Sequence, residues 1–216
     1  KGYFALIRPK GMKNMIAIID YGVGNIFSLA STFKMLGKDV VLTDNPQKIK
    51  DADRLILPGV GAFADAAEKL RSKDMFNLLT EQAKSGKPLL GICLGMQLLF
   101  DKSYEFGETD GLGLIKGSVR PISETIEKGL KIPHIGWNSL TFAKKSPLFK
   151  NINDGDFVYF VHSFHGTACE ESAIAYTSYG GQLTAAVSDG NVFGTQFHPE
   201  KSGEVGLKIL SAFCDI

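Results

Sequence analysis

The stretch G-I-C-L-G at residues 91–95 places Cys93 between two glycines, after the apolar run KPLL and before the helix-patterned MQLLF. A cysteine buried only for packing needs no glycine beside it. A cysteine displayed on a sharp strand-to-helix turn does, because flanking side chains would collide where the backbone doubles back. The chemistry this suggests is attack by a thiolate, which requires a base and a site for the developing oxyanion. His198, in TQFHPEKS, is the candidate base, and Glu200, two positions on, is the candidate group that orients it. In extended backbone, residues i and i+2 point to one side, so the carboxylate can hold one ring nitrogen while the other faces the sulfur. An isolated His-Pro-Glu would be read as a surface turn. Beside G-I-C-L-G the triad reading is the stronger one.

Two segments offer oxyanion donors. One is the backbone N–H of Leu94, at a helix start where the helix dipole also favours thiolate. The other is LPGVGAF, a turn closing a strand, with Gly59, Val60 and Gly61 in reach. One such donor is typically worth roughly 10²–10³ in turnover. The alternative for this loop is an ordinary strand-to-helix turn. DYGVGN, after the first strand, lacks the third glycine of a dinucleotide loop, so no nicotinamide site is assigned.

The elements that must position these groups alternate in type. MIAIID, DVVLTD, RLILPGV and KPLLGIC read as buried strands. NIFSLASTFKMLG is a helix ending at Gly37, GAFADAAEKLRSKDMFNLLTEQAKSG is one or two helices, and a further helix follows from Met96. Such alternation predicts a single doubly wound, mostly parallel α/β sheet with helices on both faces and its ligand beyond the strands' carboxyl ends. After Gly111 the pattern turns to short strands and added antiparallel hairpins, with Gly180-Gly181 and Asp189-Gly190 as turns, and GEVGLKILSAFC is a closing helix. Residues 15–216 read as one domain. Residues 1–14 read as an N-terminal extension or added leader, with a natural start at Met12 or Met15.

Composition narrows the function classes. A formal net charge of +1 over 216 residues gives no global field for nucleic acid or membrane. No apolar run reaches the ~20 residues of a bilayer span. Cys93, Cys169 and Cys214 have no disulfide or zinc spacing, which points to a reducing cytoplasm.

With the motifs assembled, the chain resembles the class I glutamine amidotransferases: G-I-C-L-G-M-Q at 91–97, P-G-V-G at 58–61 and F-H-P-E-K-S at 197–202 carry the likeness. PHIGWN at 133–138, YFVHSF at 159–164 and the opening IIDYGVGN narrow it to the glutaminase subunits of imidazole glycerol phosphate synthase, in histidine biosynthesis. The resemblance runs from Met15 to Ile216. It implies that Cys93 attacks the glutamine side-chain amide, His198 carries the proton to departing ammonia and Glu200 orients His198. It implies oxyanion donors at Leu94 and Gly61, the latter after a peptide flip. It implies substrate contacts from Gly59, Gln97, Glu105 and the segment His162, Ser163 and Phe164. The family's usual residue at the last position is tyrosine, so Phe164 brings no hydroxyl there. No cofactor or metal is implied.

The resemblance also implies a partner. Ammonia in water is mostly ammonium, which is no nucleophile, and this chain carries no second catalytic apparatus. The family answers with a (β/α)₈-barrel cyclase subunit in a heterodimer, which receives ammonia directly, and Trp137, Asn138, Tyr159 and Lys201 match the partner-facing positions. The rival readings are a glutaminase subunit of another synthase, such as one making pyridoxal phosphate, a stand-alone cysteine hydrolase of the same fold, and a non-catalytic interaction protein that kept the fold.

Overall fold

The structure, a computed structural model, describes residues 15–216, so the expected leader lies outside the described residues. Four short strands, β1 (Ile16–Ile19), β2 (Val40–Thr43), β3 (Arg54–Leu57) and β4 (Leu89–Ile92), alternate with helices α1 (Ile26–Met35), α2 (Pro46–Asp51), α3 (Phe63–Ser72) and α4 (Met75–Lys84). The run IAII is buried along its whole length, as a parallel strand covered on both faces must be. Helix α5 (Leu94–Leu98) follows β4 at once, and starts two residues earlier than expected. Helix α2 was passed over in the sequence although Asn45 caps it, accepting from the N–H groups of Gln47 and Lys48, and Pro46 opens it.

The remaining strands are β5 (Phe100–Ser103), β6 (Thr109–Asp110), β7 (Ile115–Pro121), β8 (His134–Ser139), β9 (Thr141–Phe142), β10 (Phe157–His162), β11 (Phe164–Thr167), β12 (Ala173–Ser178), β13 (Gln182–Asp189) and β14 (Val192–Thr195), and α6 (Gly203–Cys214) ends the chain. The main sheet runs β2-β1-β3-β4-β14-β13-β12-β9. Its first five strands are parallel and its last three antiparallel. The expected added hairpins are of two kinds. Those of β12–β14 extend the main sheet, whereas β8 with β10, and β11-β7-β5-β6, form two smaller sheets of their own.

Alternate side chains of β1 serve opposite faces: Ala17 and Ile19 join Phe63, Leu70 and Leu79, while Ile16 and Ile18 join Phe33, Ile209 and Phe213. Helices α2, α3 and α4 therefore cover one face, and α1 and α6 the other. For the site the key pairing is β14 beside β4, with Thr195 opposite Ile92. The two strands end together, so the residues just beyond each emerge side by side. No helix among the described residues is long and apolar enough to cross a membrane.

Candidate active site

Cys93 is the hinge between β4 and α5, with φ +56 and ψ −112, a backbone region that side-chain-bearing residues rarely occupy. Its N–H donates to the carbonyl of Thr195 at 2.7 Å, which ties the turn to β14. The flanking glycines do what the spacing suggested. A Cβ on Gly91 would lie 2.5 Å from the carbonyl oxygen of Gly95. One on Gly95 would lie 1.8 Å from that of Leu57, so α5 crosses β3 backbone on backbone.

His198 arrives from the neighbouring strand end, with its N–H on the carbonyl of Tyr159 at 3.0 Å. Its Nδ1 donates to Oε1 of Glu200 at 2.8 Å, and both side chains are only 4% exposed. The expected contact is made, but not through extended backbone. Pro199 opens a 3₁₀ turn, Pro199–Lys201, and that turn brings the carboxylate back under the ring. The other ring nitrogen, Nε2, is buried and has no hydrogen-bond partner among the described residues. Burial alone would pull this imidazole down; the Cys93 and Glu200 side chains outweigh it and push the ring up to about 9. With Nδ1 fixed by the carboxylate, Nε2 is the nitrogen left to exchange a proton with the sulfur.

A cavity of about 470 Å³ opens over Cys93 and His198, within the ~300–1,000 Å³ usual for small-molecule sites. Gly61, Leu94, Gln97, Glu105, His162, Ser163 and Phe164 all line it, so the structure brings most of the expected set to one place. Gly59 does not line it. It is buried behind the site, where a Cβ would meet the Tyr21 hydroxyl at 2.8 Å and the Gly95 nitrogen at 3.0 Å. Its bareness lets the P-G-V-G loop lie against the start of α5, and Tyr21 fixes that loop by donating to the Pro58 carbonyl at 2.8 Å.

Gln97 spends its amide nitrogen on the protein, donating to the carbonyls of Phe164 and of the Gln196 side chain, each at 3.0 Å. Only its Oε1 is left for a ligand in the cavity. The Phe164 carbonyl also accepts from Nδ1 of His162 at 2.8 Å, so both its lone pairs are in use. Glu105 sits at the far side, accepting the N–H of Phe63 at 2.6 Å, with burial holding its carboxyl above the usual range. Three groups in this constellation escaped the sequence reading: Gln196, Tyr21 and Phe106, an exposed ring at φ +54 packed edge-on to Phe164.

The pattern of the family described as glutamine amidotransferase class-I matches residues 17–215 of this chain. The chain belongs to the class I glutamine amidotransferases. Within that family it is 51% identical over 201 residues to the imidazole glycerol phosphate synthase subunit HisH of Lactococcus lactis, an alignment covering 93% of this chain and 98% of that one. The subunit of the same name from Wolinella succinogenes is 49% identical over 204 residues, covering 94% and 100%. Among solved structures, that of PurLQS from Thermotoga maritima superposes with a TM-score of 0.74 at 22% identity, over 94% of this chain and 99% of that chain, which shows the shared fold.

In this amidotransferase the β8–β10 ribbon lies beside the site. Its outer face carries Trp137 and Tyr159, paired across the strands with rings 5.9 Å apart, and the exposed Ile135 and Phe157. Lys201 is exposed in the turn after His198. Asn138, expected with them, turns to the inner side, because alternate residues of a strand face opposite ways. Its Oδ1 lies 2.8 Å from His134 Nε2 and its amide donates to the Ser178 carbonyl.

Proposed function

We propose that Cys93, His198 and Glu200 form the catalytic triad with which residues 15–216, as one amidotransferase domain, hydrolyse L-glutamine. The chain is the glutaminase subunit of an imidazole glycerol phosphate synthase, serving histidine biosynthesis. The observation that carries the triad is the strained elbow: Cys93 is held at positive φ beside a His198 whose second nitrogen is already held by Glu200. The thiolate adds to the carboxamide carbon of glutamine, and the oxyanion so formed is held by the Leu94 N–H and, after its peptide turns, by the Gly61 loop. His198, protonated at Nε2, gives that proton to the departing nitrogen. The C–N bond breaks, ammonia leaves and a glutamyl thioester remains. A water deprotonated by the now neutral His198 adds to the thioester, and glutamate and the thiolate are released. Gln97 Oε1 and Glu105 accept from the α-ammonium group of the substrate, while backbone groups of His162–Phe164 border its amino-acid end.

Ammonia passes to a cyclase partner, which we read as a (β/α)₈ barrel docked as a heterodimer on the Trp137–Tyr159 face with Lys201 at its rim. An exposed apolar ribbon next to the site supports this face. The partner also raises glutaminase activity, since unlinked hydrolysis would lose ammonia to solvent as ammonium. Glutamate production by the chain alone, with the cyclase, and with the cyclase plus an acceptor analogue tests the reading. Turnover should rise by orders of magnitude across the series, and equal turnover in all three would favour a stand-alone hydrolase.

A further inference from the structure

Gln196 is completely buried one residue beyond β14, and no local feature of TQFHPE accounts for an amide there. Its backbone N–H is bonded to the carbonyl of Ala185 at 2.8 Å, so the side chain is directed by the sheet. Its Nε2 lies 3.8 Å from Sγ of Cys93 and its Oε1 accepts from Gln97.

Which end of each amide faces which neighbour is fixed by the donors available. The carbonyl oxygen of Phe164 can only accept, so the end of Gln97 that meets it must be the NH₂. The second hydrogen of that NH₂ points at Gln196, which must therefore offer its oxygen. The NH₂ of Gln196 is then the end left for the sulfur. A main-chain carbonyl two amides away thus decides that Cys93 faces a donor. The carbonyl of Val161 also faces the sulfur, 3.9 Å from Sγ, which suits a thiol and repels a thiolate. The titratable groups around the sulfur and its cavity are His198 from the turn after β14, His162 from β10, Glu105 beyond β5 and the Tyr21 hydroxyl beyond β1.

We propose that Gln196 is a further catalytic residue, whose amide N–H holds the sulfur anion of Cys93, with Gln97 as the positioning residue that sets its polarity. This rests on Cys93 being the nucleophile. As the sulfur gives up its proton to His198, the anion gains a fixed N–H that offsets the Val161 carbonyl. The same N–H takes up the sulfur again when the thioester collapses.

The test is the rate of Cys93 alkylation by iodoacetamide against pH on the full chain, followed by mass spectrometry at that one residue. Gln196→Met keeps the length and removes the donor. A lost charge-assisted bond should move the inflection up by about one pH unit, a loss of about tenfold in rate on its acid side. An unchanged inflection in a folded Gln196→Met protein overturns the inference. Should that variant fail to fold, Gln97→Met decides. It does not touch the sulfur, yet frees Gln196 to turn, so the inflection should rise, and no movement again overturns the inference. Alkylation needs no glutamine turnover, so this outcome is separate from whether Cys93→Ala abolishes hydrolysis, which tests the triad itself.

Discussion

Gly95 is pressed so tightly against Leu57 that a Cβ on it would sit 1.8 Å from that residue's carbonyl oxygen. Neither partner is a flexible side chain, so no rotamer change relieves the contact. Gly95→Ala should displace α5 and with it the elbow, with a stability loss of ~3 kcal/mol or more, at the upper end for overpacking. Urea unfolding measures the first effect and Cys93 alkylation the second. A variant of normal stability and reactivity would show that the crossing of α5 over β3 is looser than described.

Cys93 itself stores strain. Held at φ +56, it occupies a region that glycine enters freely. Cys93→Ala should abolish glutamine hydrolysis, on the order of a 10⁶-fold loss as for other triad nucleophiles, while leaving the fold intact. Cys93→Gly should be equally inactive and yet more stable than Cys93→Ala by ~1 kcal/mol. Urea midpoints compare the two, and a less stable glycine variant would contradict the strain. Cys169→Ser and Cys214→Ser are the controls and should keep their activity, since both side chains are buried away from the cavity.

The two partners of Cys93 should not be equal. His198→Ala removes the proton carrier, whereas Glu200→Gln keeps the ring and loses only its anchor. By analogy with other triads, losses on the order of 10⁶-fold and 10⁴-fold are expected. Glu200→Gln should also lower the His198 pKa from about 9, because one of the two groups that raise it is gone. NMR titration of the ring checks the second point. A larger activity loss from Glu200→Gln than from His198→Ala would overturn the assignment of roles.

Buried histidines set the response to acid. Burial holds His162 down to about 3 and His165 down to about 4, so each is neutral in the folded chain well below the ordinary 6.5. Between 6.5 and those values the unfolded chain binds protons that the folded chain refuses, and stability falls as pH falls. His198 works in the opposite sense: its contribution is whole below 6.5 and is lost as pH rises through about 9. His165 is the cleaner probe, since protonation would cost the bond its Nδ1 accepts from the Thr184 N–H. His165→Gln should lessen the drop in urea midpoint from ~pH 7 to ~pH 5. An identical drop would rule His165 out as a source.

The two sides of β8 should separate in assay. Trp137→Ala, on the exposed side, should weaken cyclase binding by at least about 2 kcal/mol, as for a central aromatic anchor, and leave stability unchanged. Asn138→Ala should do the reverse, because it strips His134 of a partner while altering little of the outer face. Titration calorimetry and urea unfolding distinguish them. Equal loss of affinity from both would place Asn138 at the interface after all.

Much of this site is legible in the sequence because its chemistry is local. The glycines around Cys93 and the His198–Glu200 spacing are short-range statements about backbone, and both contacts form. Even there the reason differed, since Pro199 supplies a turn where extended chain was expected. Gln196 could not be read. Its role depends on β14 lying beside β4 across about a hundred residues of sequence, and on an amide at position 97 that looks the same in either orientation. Strand β5 was missed for a related reason. FDKS has one apolar residue and no alternation, and its pairing with β7 and β6 alone makes it a strand.

The placement of β14 has a consequence for synthesis on the ribosome. The last strand made is not at an edge; it fills the gap between β4 and β13. Until Val192–Thr195 has emerged, β4 has an unpaired side, and an unpaired apolar edge invites association with other chains. Chains halted before Val192 should therefore bind more of a hydrophobic dye, and aggregate more readily, than the full chain. The same nascent chain already carries Cys93 but lacks Gln196, His198 and Glu200. The nucleophile is translated long before its base and the amide that faces its sulfur, so the unfinished chain holds no complete site.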